Sequence, residues 1–239
     1  MKTHRSSSHF ISFLGSLLGA LLALEVAAFA QELRPNLQAL PAWHITLSNG
    51  LLSFNTTSWN SGLGRLELIA GKVNNRAKKQ KVYQRVYNSD GSYQDYLAGD
   101  FVWHKQHNHF HFEQYAVYTL LPYTAPTTSQ RSSQKTTFCV MDTTAVDTSL
   151  IGAPSSAFYS TCGNVKQGMS VGWGDTYGSF LSGQSISVSG LPDGVYKLMI
   201  QIDPQRHLLE ENENDNSSCV VLNLSISTST IIDIDDNGC

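Results

Sequence analysis

The chain has 239 residues, a formal net charge of −3 and 15% charged residues. That balance, without a basic patch or polybasic tail, argues against a nucleic acid as partner. The length is enough for one sizeable core.

Lys2 and Arg5 precede an apolar run from Phe10 to Leu24, and Ala28-Phe29-Ala30 has the form of a processing site. These are the parts of a secretion signal, and the run is short for a membrane span. Residues 1–30 are therefore expected to be a signal peptide. Residues 31–239 are expected to form a single secreted or extracytoplasmic domain with no stable membrane insertion after cleavage. The leader carries Lys2, Arg5 and Glu25, a net +1, so the remainder of the −3 chain carries about −4.

Strand signals follow in order. "WHITLSNGLLSF" (43–54) places Asn49-Gly50 between β-rich arms, a hairpin signal. "GRLELIAG" (64–71) alternates, with Leu66 and Leu68 on one face. The cluster "NNRAKKQK" (74–81) reads as a solvated loop. "VYQRVYNSDGSYQDY" (82–96) predicts a second hairpin turning at Asp90-Gly91. Further on, Pro192-Asp193-Gly194 leads into a strand with Tyr196, Leu198, Ile200 and Ile202 inward. "CVVLNLSIS" (219–227) puts Val220, Leu222, Leu224 and Ile226 on one face. Past the leader there is no long 3.6-residue periodicity. The expected fold is all-β: an antiparallel β-sandwich, immunoglobulin-like, with long loops. A closed barrel is the alternative.

Cys139, Cys162, Cys219 and Cys239 make an even count on an exported chain, which predicts two disulfides with three possible pairings. Cys139–Cys162 with Cys219–Cys239 is favoured because each closes a short loop. No C-x-x-C spacing is present, which argues against a zinc–thiolate site.

"DFVWHKQHNHFHFEQY" (100–115) holds four of the eight histidines. On a strand His107, His109 and His111 share a face, while Asn108, Phe110 and Phe112 point the other way. Neutral imidazoles suit copper, zinc, iron or nickel, and an all-nitrogen set leans towards copper or zinc. On a flat strand the outer two Cα atoms would lie about 13 Å apart, so bonds of about 2 Å to one metal require a bend near His109. His104 is out of phase and reads as a supporting group. A histidine-rich strand facing solvent is the plainer alternative.

"WHKQHNHFHFEQYAVYTLL" (103–121) resembles the copper-binding segment of lysyl oxidases, W-H-x-C-H-x-H-Y-H. "KTTFCVMDT" (135–143) is similar to that family's K-x-S-F-C-x-x-D-T segment, and "QGMSVGWGDTYG" (167–178) to its Q-G-[IL]-S-x-G-x-x-D-T-Y segment. "LPDGVYKLMIQIDPQRHLLEENENDN" (191–216) resembles the closing K-P-G-N-Y segment with its acidic tail. The resemblance runs in order over about residues 33 to 226. Gln106 departs from it, standing where animal members have cysteine.

The resemblance implies a copper(II)-dependent amine oxidase with His107, His109 and His111 as metal ligands. It implies a lysine tyrosylquinone built from Lys135 and Tyr177, and a β-sandwich-like catalytic core. Substrates would be primary amines, including lysine side chains of extracellular proteins, oxidised to aldehydes with release of hydrogen peroxide and ammonia. Tyr177 would supply the oxidisable ring. Lys135 must lose its proton to act as a nucleophile, which burial favours. Asp175 and Glu113 are the candidate bases, and Asp142 reads as structural. Calcium is a further candidate cofactor, held by Glu210, Asn212, Asp215 and Asn216 with Asn36; a solvated acidic loop is the equal alternative for this stretch. Two other classes compete: a non-catalytic β-sandwich binding or adhesion module with a structural zinc or copper, and a copper protein without a quinone.

Overall fold

A computed structural model describes residues 30–74, 76, 78–105, 108–124, 130–133, 135–235 and 239. The leader lies outside these. Seventeen strands occur among the described residues, and no helix. In chain order they are β1 (Glu32–Leu33), β2 (Leu37–Ala39), β3 (Trp43–Ser48), β4 (Leu51–Asn60), β5 (Leu66–Asn74), β6 (Lys79–Asn88), β7 (Tyr93–His104), β8 (His109–Phe112) and β9 (Ala116–Pro122). There follow β10 (Arg131–Ser132), β11 (Thr144–Ala145), β12 (Lys166–Met169), β13 (Trp173–Tyr177), β14 (Ser185–Ser187), β15 (Gly194–Ile202), β16 (Ser217–Ser225) and β17 (Thr230–Asp235).

The strands pair into three antiparallel sheets, where an immunoglobulin-like sandwich has two. The first runs β12-β5-β6-β7-β8, with β1 on β6. The second runs β10-β9-β15-β16-β17. The third runs β11-β13-β4-β14, with β2 and β3 on β4. Both predicted hairpins are present: Asn49-Gly50 joins β3 to β4, and the turn at Asp90-Gly91 joins β6 to β7. Asn49 and Gly50 both take positive φ, as a two-residue hairpin turn of this kind demands.

Alternation decides which faces are buried. Leu66 and Leu68 are fully buried, as are Leu198, Ile200, Val220, Leu222 and Leu224. They join Leu37, Phe54, Phe101, Phe112 and Leu120 in one core drawn from all three sheets. Each such side chain contributes roughly 1.5–3 kcal/mol on burial.

Two buried acids pin the long loop after β11 to this core. Glu67 accepts hydrogen bonds from Tyr87 and Tyr159 at 2.8 Å each and pairs with Lys166 at 3.0 Å. Asp142 accepts from the Phe158, Tyr159 and Ser170 amides and from the Ser170 hydroxyl. This is the structural part expected of Asp142. Cys139 pairs with Cys162 and Cys219 with Cys239, with Cα atoms 5.5 and 6.1 Å apart. The short-loop pairing is thus the one formed. Among the described residues no helix is long and apolar enough to cross a membrane.

Candidate active site

The histidine segment is a hairpin rather than one bent strand. The Asn108 amide donates to the His104 carbonyl at 2.9 Å, and Asn108 takes a φ of 57°, so the chain reverses between β7 and β8. The pairing sets His104 opposite His109 and Val102 opposite His111. His107 lies outside the described residues. On β8 the Nε2 atoms of His109 and His111 face each other 2.8 Å apart. The His104 ring stacks on His111 with centroids 4.4 Å apart and planes 14° from parallel. Thr137 Oγ1 lies 3.2 Å from His111 Nδ1. The 2.8 Å between the two Nε2 atoms is a hydrogen-bond distance, and it is also the separation that two ligands about 2.0 Å from one metal at a right angle would show.

Residues 135–139 form an extended strip between β8 and β13. Phe138 and Phe112 exchange backbone hydrogen bonds, Phe112 N to Phe138 O at 2.7 Å and Phe138 N to Phe112 O at 3.0 Å. On its other side the strip meets Tyr177. The Tyr177 hydroxyl donates to the Cys139 carbonyl at 2.8 Å and accepts from the Cys139 amide at 2.9 Å. Phe138 stands edge-on to the Tyr177 ring at 4.8 Å. Lys135 Nζ lies 4.2 Å from the centre of that ring. Lys135 and Tyr177 are 42 positions apart in the chain, so only the fold makes this contact.

Asp175 sits two residues before Tyr177 on β13, on the same face, and is buried. Burial pushes its carboxyl well above the usual range, against hydrogen bonds from the Met141 amide and the Thr143 hydroxyl. Its Oδ2 and Lys135 Nζ are both enclosed without a hydrogen-bond partner among the described residues. Burial lowers the Lys135 amine to about 8, opposed by the charge of Asp175. Burial also raises Tyr177 well above the phenol value. Nearby lie two hydroxyl pairs made by β4: Ser58 with Tyr115, the residue before β9, at 2.8 Å, and Thr56 with Tyr118 of β9 at 2.9 Å. The other candidate base, Glu113, is instead paired with Lys79 at 2.9 Å.

Gly183, with φ +85°, backs onto the lysine stem: a Cβ there would fall 2.7 Å from Lys135 Cβ. The same glycine borders a cavity of about 300 Å³ lined also by Leu51, Arg131, Ser132, Ser185 and Ser187.

A second cluster lies in the turn between β15 and β16. Carboxylate oxygens of Asp203, Glu210 and Glu213 come within 4.8 Å of one another. Glu210 accepts from the Leu37 amide and from Asn216, and burial raises it to about 8. Asn36 donates to Asp215 at 3.0 Å. Of the expected set, Glu210, Asp215, Asn216 and Asn36 are linked here. The Asn212 side chain instead accepts from the Asn214 amide in an exposed turn. Asp203 and Glu213 belong to the cluster and were not anticipated.

The lysyl oxidase family model matches residues 71–233. The chain belongs to the lysyl oxidase family. The match takes in the histidine hairpin, the strip at 135–139, β13 and the acidic turn, which are the four stretches that carry the sequence resemblance. A search of curated proteins finds no match to this chain. Thr137, the Cys139 backbone groups and Gly183 all touch the predicted site residues. None was distinguishable in the sequence, because their roles rest on tertiary contacts made by ordinary residue types.

Proposed function

We propose that this lysyl oxidase family protein is a secreted, copper-dependent amine oxidase that converts primary amines, including lysine side chains of extracellular proteins, to aldehydes with release of hydrogen peroxide and ammonia. On this reading residues 1–30 direct export and residues 31–239 act as one catalytic domain. The observation that carries it is the placement of Lys135 Nζ 4.2 Å from the Tyr177 ring centre, the two residues from which a lysine tyrosylquinone would be made.

His109 and His111, with His107, would hold copper(II). The donor set is chemically apt, since two imidazole Nε2 atoms lie 2.8 Å apart and imidazole suits copper. When bound, copper supplies one-electron chemistry with oxygen, and the quinone supplies the electron sink that amine oxidation needs. The chain's own residues prepare this. Cys139 grips the Tyr177 hydroxyl through both its backbone groups and fixes the ring. Phe138 covers one side of the ring and keeps water away. Lys135 is a nucleophile only when neutral, and an amine lowered to about 8 reaches that state more readily than an exposed lysine. Asp175 would be the base in its ionised form, which burial makes more basic than an exposed carboxylate, receiving a proton from Lys135 Nζ during maturation and from the substrate α-carbon in turnover.

The acidic turn would bind calcium. Asn36 Oδ1, Glu213 Oε2, Asp215 Oδ1 and Asn216 Oδ1 are enclosed without a hydrogen-bond partner among the described residues, and a hard cation takes such oxygens.

Peroxide release from a simple primary amine, measured with a quinone stain on copper-loaded protein, tests the reading. Tyr177→Phe should abolish both signals. Full activity in that variant would reject the mechanism. Copper binding by the wild type with no stain and no peroxide would favour a non-catalytic metal module.

A further inference from the structure

The geometry points to Thr137 as the positioning residue of His111. This inference rests on the reading of His109 and His111 as copper ligands.

A buried imidazole has two choices to make: the plane of its ring, and which edge faces the metal. His111 is 1% exposed, so bulk water does not settle either choice. The stack with His104 defines the plane. Stacking does not distinguish a ring from the same ring flipped by half a turn, since both present the same face. The hydrogen bond at Nδ1 does distinguish them. With Thr137 Oγ1 3.2 Å from Nδ1, the tautomer protonated on Nδ1 donates to the hydroxyl and leaves Nε2, which lies 2.8 Å from His109 Nε2, as the lone-pair nitrogen. A flipped ring would turn a carbon towards the hydroxyl and another towards the metal. Outer partners of this kind fix ligand tautomer and orientation in metal sites generally.

Thr137 is held in place independently of its own hydroxyl. Its neighbour Phe138 exchanges two backbone bonds with Phe112, one residue beyond His111, which locks the strip in register with β8. Removing the hydroxyl therefore removes one interaction without releasing the segment. Thr137 also stands two positions after Lys135, so a single rigid strip carries both the lysine and the partner of the metal ligand.

The test uses the mature chain, copper(II) alone as probe, and four proteins: wild type, Thr137→Val, Thr137→Ser and His109→Ala. Copper affinity is measured by competition with a chelator. Electron spin echo modulation then reads the imidazole nitrogen remote from copper, whose quadrupole coupling responds to its hydrogen bond. Thr137→Val should bind copper about 10–100-fold more weakly and shift the remote-nitrogen signal. Thr137→Ser should restore both. The metal-free melting midpoint checks that the valine variant is folded, and Thr137→Ala serves the same comparison if it is not. Unchanged affinity and signal in the valine variant, with binding lost in His109→Ala, would overturn the inference and leave the copper site standing. Undiminished binding in His109→Ala would overturn the site, and the inference with it.

Discussion

The two buried polar clusters of this molecule are built in opposite ways. The histidine and quinone-precursor cluster is mounted on strands: β8, β13 and the strip at 135–139 fix His109, His111, Tyr177 and Lys135 by register. The acidic cluster is mounted on a turn, with Asp203, Glu210 and Glu213 brought together between β15 and β16 and tied back to Asn36 and Leu37. The first sets its nitrogens through strand register together with the His104 stack and the Thr137 hydroxyl. The second leaves several enclosed oxygens unsatisfied, which is costly unless something pairs with them. Lys135 Nζ and Asp175 Oδ2 of the first cluster are also enclosed without a partner among the described residues, but there opposite charges stand near each other, whereas the turn's unpartnered atoms are acceptors alone, which a bound cation would satisfy.

Exchange of metals breaks this comparison most sharply. His109→Ala should lower amine oxidation by at least about 100-fold, as expected where a ligand essential to the chemistry is lost. It should leave intact the stabilisation that calcium gives. In metal-free buffer, calcium at about 100 times its Kd should add about 2.7 kcal/mol, a rise in melting midpoint of roughly 5–10 °C for a domain of this size. Glu210→Gln should remove most of that rise while leaving the quinone stain in place. Scanning calorimetry with a parallel peroxide assay reads both. A calcium response surviving in Glu210→Gln would detach the ion from this cluster.

Proton linkage sharpens the contrast, because both clusters titrate near the same pH with opposite sense. Glu210 is raised to about 8 from 4.5. The stability it contributes is full below about 4.5 and fades as pH rises through about 8. Calcium-free protein should lose stability across that window, and Glu210→Gln should flatten the loss. Lys135 is lowered to about 8 from 10.5. Its penalty is full below about 8 and is relieved as pH climbs towards 10.5. Its neutral fraction, and with it the rate of quinone appearance after copper addition, should rise roughly tenfold between pH 7 and pH 9. A flat rate profile would show that deprotonation of Lys135 is not what limits maturation.

The smallest effect separates backbone strain from site geometry. Gly183→Ala and Gly91→Ala both place a side chain at positive φ, but Gly91 faces open space and Gly183 faces the Lys135 stem. Each should cost about 1–2 kcal/mol of stability by denaturant titration. Only Gly183→Ala should also slow quinone formation. Equal rates in the two variants would mean that the lysine is not held by this contact.

The strand patterns, both hairpins, the inward faces and the disulfide pairing were legible in the sequence, because period-2 alternation and turn chemistry are local. The histidines were legible as a group but not in their arrangement. Equal spacing along one strand implied a bend near His109. The chain instead reverses before it, a turn led by Asn108 at positive φ, and this brings His104, out of phase in an extended reading, across from His109. Lys135 and Tyr177 could be paired only through family resemblance, since no local rule joins residues so far apart. Glu113 looked equivalent to Asp175 as a base until Lys79 was found beside it. Asp203 escaped notice because it ends a strand, seven positions before Glu210, and only the folding of the turn makes them neighbours.

The strip from Lys135 to Cys139 constrains how this gene can change. Four tasks fall within five residues: Lys135 and Phe138 pack on the Tyr177 ring, Thr137 reaches His111 and the Cys139 backbone holds the phenol. One inserted codon between Lys135 and Cys139 would shift Lys135 against the residues that follow it, and the contacts with Tyr177 and His111 could not all be kept. Length variation among relatives should therefore be absent inside this strip and tolerated in the exposed turn after β6, where a side chain at Gly91 would face open space.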